Sequence, residues 1–131
     1  MWLLDTNTCI YFLNQASERI TRRFKQLSPS QIVLPSITAA ELYYGAEKSK
    51  AQTKNRERVK QFVSTFEIVP FDEKACITYA KVRYELERSG IPIGPMDLLI
   101  ASISLTHNFI LVTNNSKEFK KVKGIKLENW V

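Results

Sequence analysis

The chain has 131 residues, close to the ~150 that serve as a prior for one domain, so a single domain spanning residues 1–131 is expected. An apolar share of 44% beside 24% charged residues excludes a disordered or collagen-like chain and provides for a buried core. Nineteen Lys and Arg against thirteen Asp and Glu leave +6, which favours polyanions over cationic partners.

Met1 to Leu4 is an apolar run ended by Asp5, the pattern of a strand buried on both faces. Asn7 to Asn14 reads as helical. Ser17 to Leu27 carries Ile20, Phe24 and Leu27 at helical spacing before Ser28-Pro29-Ser30 breaks it. Gln31 to Leu34 is a second strand. A helix runs from Thr38 to about Lys48, and a basic helix from Ala51 to Phe66 places Val59, Phe62, Val63 and Phe66 on one stripe. Glu67 to Val69 is a third strand, closed by Pro70.

Asp72 to Ser89 is an amphipathic helix with Ala75, Tyr79, Val82 and Leu86 on its apolar side, ended by Gly90. Gly94-Pro95 opens another helix to about His107, and Phe109 to Thr113 is a fourth strand. A loop or short helix follows around Ser116 to Phe119, then a last strand near Ile125 to Leu127. Strands alternating with helices imply parallel crossovers, hence an α/β fold: a three-layer α/β/α domain around a central, mainly parallel sheet.

Several absences narrow the chemistry. His107 is the only histidine, which excludes catalysis by an imidazole pair and disfavours His-rich zinc sites. The glycines Gly45, Gly90, Gly94 and Gly124 form neither a GxGxxG nor a P-loop pattern. Cys9 and Cys76 lack metal-type spacing and are expected as small, reduced core residues. Asp5 interrupts the opening apolar run, against a signal peptide, and no apolar run approaches the ~18 residues of a membrane span. A cytoplasmic protein with no membrane partner is expected.

In a parallel sheet, ligands bind outside the carboxyl ends of the strands, where helix amino termini converge. Asp5 closes the first strand, Glu41 and Asp97 lie in first helical turns, and Asn115 follows the fourth strand. Each also has a structural reading. Thr38-Ala39-Ala40-Glu41 spells a capping box, Asp97 opposes a helix dipole, and Asn115 is a common turn residue. Asp72 and Glu73 are read as capping residues only.

Asp5 resists such a reading. A carboxylate after a fully apolar central strand loses hydration, which costs several kcal/mol if unpaired, and no Lys or Arg occurs in the first eighteen residues. With Glu41 and Asp97 it would put three anions on one rim, a conflict that a divalent cation resolves. All-oxygen ligands select hard ions, so Mg²⁺ is expected, with Mn²⁺ as an alternative. Such sites bind phosphates and activate water.

Leu4-Asp5-Thr6-Asn7, Thr38-Ala39-Ala40-Glu41-Leu42 with Tyr44-Gly45-Ala46, Gly94-Pro95-Met96-Asp97 with Ile100-Ala101, and Val112-Thr113-Asn114-Asn115 with Glu118-Phe119 stand in this order. Together they resemble the PIN-domain ribonucleases, specifically the VapC toxins of bacterial type II toxin–antitoxin modules, over essentially the whole chain. The resemblance implies metal-dependent hydrolysis of an RNA phosphodiester that leaves a 5′-phosphate and a 3′-hydroxyl. It assigns catalysis to Asp5, Glu41, Asp97 and Asn115, with Asp5 and Asp97 as principal metal ligands. Asn7 and Thr113 would orient the carboxylates.

Asn115 departs from the aspartate many members carry, which removes a charge, and Glu118 either supplies it or stays in solvent. The implied substrate is structured RNA, the anticodon stem-loop of tRNA and in particular initiator tRNA, whose cleavage would inhibit translation. The implied partners are a VapB-type antitoxin, operator DNA through that antitoxin only, and a second copy in a homodimer. Tyr43, Tyr44, Phe62 and Phe66 are candidates for apolar partner surface or for core. Two basic clusters, Lys48, Lys50, Lys54, Arg56, Arg58 and Lys60, then Lys117, Lys120, Lys121, Lys123 and Lys126, are candidate phosphate contacts. The competing readings are a catalytically silent RNA- or partner-binding module of the same fold, and a phosphotransferase with Asp5 as nucleophile.

Overall fold

The computed structural model describes residues 1–131. Five strands, β1 (Trp2–Leu4), β2 (Ile32–Pro35), β3 (Glu67–Val69), β4 (Ile110–Val112) and β5 (Lys126–Glu128), form one sheet. Its order is β3-β2-β1-β4-β5 and every neighbouring pair is parallel. The helices are α1 (Thr6–Leu13), α2 (Glu18–Gln26), α3 (Ser36–Glu47), α4 (Gln52–Ser64), α5 (Glu73–Arg88), α6 (Pro95–His107) and the single turn α7 (Ser116–Phe119).

The two-residue alternation of the strands divides the core. Leu3, Val33 and Leu111 point to the face covered by α5 and α6, where Ala75, Leu86, Leu98, Ala101 and Ile103 meet them. Leu4, Leu34 and Val112 point to the face covered by α1 to α4, against Cys9, Ile20, Leu42, Val59 and Phe62. Leu3 and Leu4 are both fully buried, as a strand with helices on each side requires. The expected three-layer α/β/α architecture is therefore present, with a sheet that is parallel throughout.

Three local expectations are corrected. The helix expected from Thr38 begins at Ser36, directly after the strand-ending Pro35, and no side chain caps it. Thr38 and Glu41 form no capping box because both are drawn into long-range contacts: the Thr38 hydroxyl donates to the Leu4 carbonyl at 3.1 Å, and Glu41 binds Thr6. Cys9 is buried, but Cys76 is exposed, since it lies beside Ala75 and off the buried stripe of α5; both thiols are free. Asp72 does cap its helix, accepting from the Ala75 amide at 3.1 Å. The break at Ser28 is a 3-10 turn over Pro29–Gln31, held by a capping box between Ser28 and Gln31 that the sequence reading passed over.

Of the four aromatic candidates, Phe62 is core, Phe66 is half-buried, and Tyr43 and Tyr44 are exposed. No helix is long and apolar enough to cross a membrane.

Candidate metal-binding active site

The strand order fixes where a site can form. The chain steps outward from β1 to β2 and β3, then returns to place β4 on the other side of β1, so the connections diverge between β1 and β4. A crevice opens at the carboxyl ends of strands at such a point. Leu4 pairs with Val112 across it, which sets Asp5 and Thr113, each one residue further on, at the mouth.

Asp5 is buried. It serves as N-cap of α1, with its Oδ1 accepting from the Thr8 amide at 2.9 Å. Burial raises its pKa, hydrogen bonds from Thr113 and Thr8 pull the other way, and the Glu41 charge adds to the rise; the net direction is up. Thr113 is fully buried, and its hydroxyl also accepts from the Asn115 amide at 2.9 Å, which ties the start of α7 to the same corner.

Asp97 lies in the first turn of α6, after Gly94 as N-cap and Pro95 at the first helical position. Its pKa is pushed up to about 6, first by partial burial and then by the charges of Asp5, Glu41 and Glu118. Glu41 projects from α3, half-buried, and its Oε1 accepts from the Thr6 hydroxyl at 2.5 Å. Glu118, on α7, is also half-buried and is bridged by Lys121 at 3.1 Å. It faces both the lysine and the field of Asp97.

These groups sense one another's charge, yet no three of them close into a ligand cage in this arrangement. Asn115 is exposed at the start of α7, and its backbone N–H, not its side chain, is tied to the site by donating to the Thr113 hydroxyl. Asn7 is exposed in the first turn of α1 and makes no hydrogen bond to a carboxylate. Sequence reasoning missed Thr6 and Thr8, which flank it and do contact the acidic groups. Thr6 acts through its hydroxyl and Thr8 through its backbone amide, its own hydroxyl donating to the Val112 carbonyl at 3.2 Å. The signal was the Asp-Thr-Asn-Thr string, in which the strand-ending Asp5 stands at the N-cap position of α1.

The donor chemistry fits a hard divalent cation. Of the five ion pairs of the chain only Lys121–Glu118 borders this site, and none engages Asp5, Glu41 or Asp97. With no lysine or arginine paired to Asp5, Glu41 or Asp97, their mutual repulsion is uncompensated by any ion pair, and oxygen-only ligands favour Mg²⁺ or Mn²⁺ over softer ions.

The fold and this rim define the class: a doubly wound parallel α/β domain with an acidic crevice at its switch point. The PIN domain family model matches residues 2–125, and the chain belongs to that family, in its VapC ribonuclease branch. It is 42% identical over 129 residues to the tRNA(fMet)-specific endonuclease VapC of Salmonella typhimurium, covering 98% of this chain and 97% of the relative. It is 41% identical over 131 residues to ribonuclease VapC2 of Rickettsia felis, covering 99% and 98%. Among solved structures, DNA-bound VapBC from Salmonella typhimurium superposes with a TM-score of 0.94 at 40% identity, covering 99% of this chain and 98% of that one.

Proposed function

We propose that this protein is a metal-dependent endoribonuclease toxin that cuts tRNA, initiator tRNA foremost, and so inhibits translation. The observation that carries the reading is the placement of buried Asp5 at the switch point and of Asp97 in the first turn of α6, neither in an ion pair with a lysine or arginine. The printed activity of the Salmonella relative supports the choice of substrate.

Asp5 and Asp97 would hold Mg²⁺, with Glu41 as a further ligand or as a base acting through water, and Asn115 as an auxiliary oxygen donor. The bound ion would supply Lewis acidity and a more acidic water for in-line displacement at phosphorus. Thr113 and Thr8 fix the Asp5 carboxylate through hydrogen bonds. Thr6 holds the Glu41 carboxylate toward α1. Exposed Lys48, Lys50, Lys54 and Lys60 border the α3–α4 side and are suited to RNA phosphates, whereas Arg56 is engaged by Glu47 at 2.6 Å and Arg58 by the Leu13 carbonyl.

A VapB-type antitoxin is the proposed partner, since similar structures are VapBC complexes, two of them DNA-bound. An apolar groove of about 550 Å³ between α1, α2 and α4, lined by Phe12, Phe24, Leu27, Phe62 and Phe66, offers it a receiving surface. Operator DNA would then be contacted through the antitoxin, and the toxin would pair as a homodimer.

The test is incubation of antitoxin-free protein and its Asp5→Asn variant with total tRNA, in Mg²⁺ or in EDTA. Discrete Mg²⁺-dependent fragments from the parent alone are expected. Equal cutting by both proteins would overturn the assigned site, and RNA binding with no cutting by either would favour a silent binding module.

A further inference from the structure

A second cavity opens directly beside Glu41. It has a volume of about 230 Å³ and lies between α1, α3 and α4. Its polar wall is Asn14 at the end of α1 and Asn55 and Arg58 on α4, and its floor includes buried Leu42. This is smaller than the ~300–1,000 Å³ of pockets for drug-sized ligands, a scale suited to one planar heterocycle.

Gly45, which also lines it, is the informative residue. It sits inside α3, where glycine weakens a helix relative to alanine, and it has no positive φ to justify it. Packing does not demand it either, because a Cβ added there would meet nothing within 4 Å. It lies one helical turn after Glu41, so the space in front of it adjoins the candidate catalytic carboxylate. A bare backbone facing an open cavity next to reacting groups is the pattern of close ligand approach.

The polar wall is held in place. Arg58 donates through Nη2 to the Leu13 carbonyl and through Nη1 to Asn55 Oδ1 at 3.5 Å, and Asn55 donates to Ser49 Oγ at 2.9 Å. No carboxylate pairs with Arg58. Two carboxamides and a guanidinium offer donors and acceptors suited to the edge of a nucleobase.

We propose that this cavity seats the base of one unpaired nucleotide flanking the scissile phosphate, and that Gly45 keeps it open. The proposal rests on the ribonuclease reading above. It makes Asn14, Asn55 and Arg58 specificity-determining residues that position RNA without touching the reacting atoms.

The experiment compares the parent, Gly45→Ala and Gly45→Leu on a stem-loop RNA with the anticodon-arm sequence of initiator tRNA, in Mg²⁺. The same RNA is also made with an abasic ribose on either side of the cut. Gly45→Leu is expected to cut about tenfold more slowly, the scale of one lost base contact, with a melting temperature no lower than the parent's. Gly45→Ala should melt higher and cut at a rate nearer the parent's. The abasic RNA at one flanking position should slow the parent about tenfold and slow Gly45→Leu no further.

Parental cutting by Gly45→Leu, or additive losses at both abasic positions, overturns the proposal alone. Parental cutting combined with lost binding of an antitoxin-derived peptide overturns it in favour of a peptide occupant. No cutting by the parent overturns the ribonuclease reading and this proposal with it.

Discussion

The Thr6 hydroxyl donates to Glu41 Oε1 at 2.5 Å and joins the first turn of α1 to α3 across 35 positions of sequence. Thr38 makes a parallel link in the core, from α3 back to the Leu4 carbonyl at 3.1 Å. The two hydroxyls hold α3 against the end of β1, which keeps the Glu41 charge on the side from which it acts on Asp5. Glu41 is thereby a positioned group and not a helix cap.

Thr6→Val should therefore leave folding almost intact, because the bond is only part-buried, while releasing Glu41. Cleavage of initiator tRNA is expected to fall about tenfold, in line with loss of a group that orients a metal ligand. Thr6→Ser should restore most of it. Equal rates for Thr6→Val and the parent would remove Thr6 from the site.

Asp97 gives a stability prediction with a definite sign. Its folded-state pKa of about 6 lies above the ordinary 3.8, so the folded state binds more protons than the unfolded one between those values. Its contribution to stability falls as pH rises through that window and is fully unfavourable above it. In EDTA at neutral pH, Asp97→Asn is expected to melt higher than the parent. Mg²⁺ should raise the parent's melting temperature more than the variant's. Thermal melts of the two proteins, with and without the ion, decide the matter.

The opposite sign holds at Glu128 on the edge strand β5. Burial alone would raise its pKa, but donation from Trp130, Trp2 and Arg23 outweighs burial and holds it below the ordinary 4.5. The Trp130 and Trp2 indoles donate at 2.8 and 3.1 Å and Arg23 pairs at 3.2 Å. This stabilisation is present above the unfolded pKa and is lost as pH falls through the folded one. Denaturant titrations across the acid range should show a steeper loss for the parent than for Glu128→Gln, with the variant less stable at neutral pH.

Phe62 tests the core beneath the apolar groove. It is 7% exposed and packs at ring-centroid distances of 5.7 Å from Phe12 and 5.1 Å from Phe66. Phe62→Ala is expected to cost about 3–5 kcal/mol in denaturant unfolding. Tyr44→Ala, at a side chain 65% exposed, should stay within about 0.5 kcal/mol.

Periodicity and chain punctuation made most of the fold legible in the sequence. The apolar Met1–Leu4 run, the Ala75-Tyr79-Val82-Leu86 stripe and the Gly94-Pro95 opening each report a local constraint, and each reappears as β1, α5 and α6. The four motif blocks, standing in order, resemble the VapC group, and through that resemblance the PIN fold was legible as well. Glu41, expected in a first helical turn, is the sixth residue of α3 because the helix starts at Ser36. Element ends were less legible. Thr38 and Glu41 satisfy a local capping rule in sequence, and only their distant partners Leu4 and Thr6 reveal that the rule is not used.

The sequence by itself determined the alternation of strands and helices, the excess of basic charge and the identity of the acidic residues, since these follow from local pattern and composition. Only the tertiary structure decided which hydroxyls hold those acids, that Cys76 faces solvent and that an open cavity lies before Gly45. Such facts depend on how helices pack beside one another on one face of the sheet, and no spacing along the chain encodes which residues will face each other there.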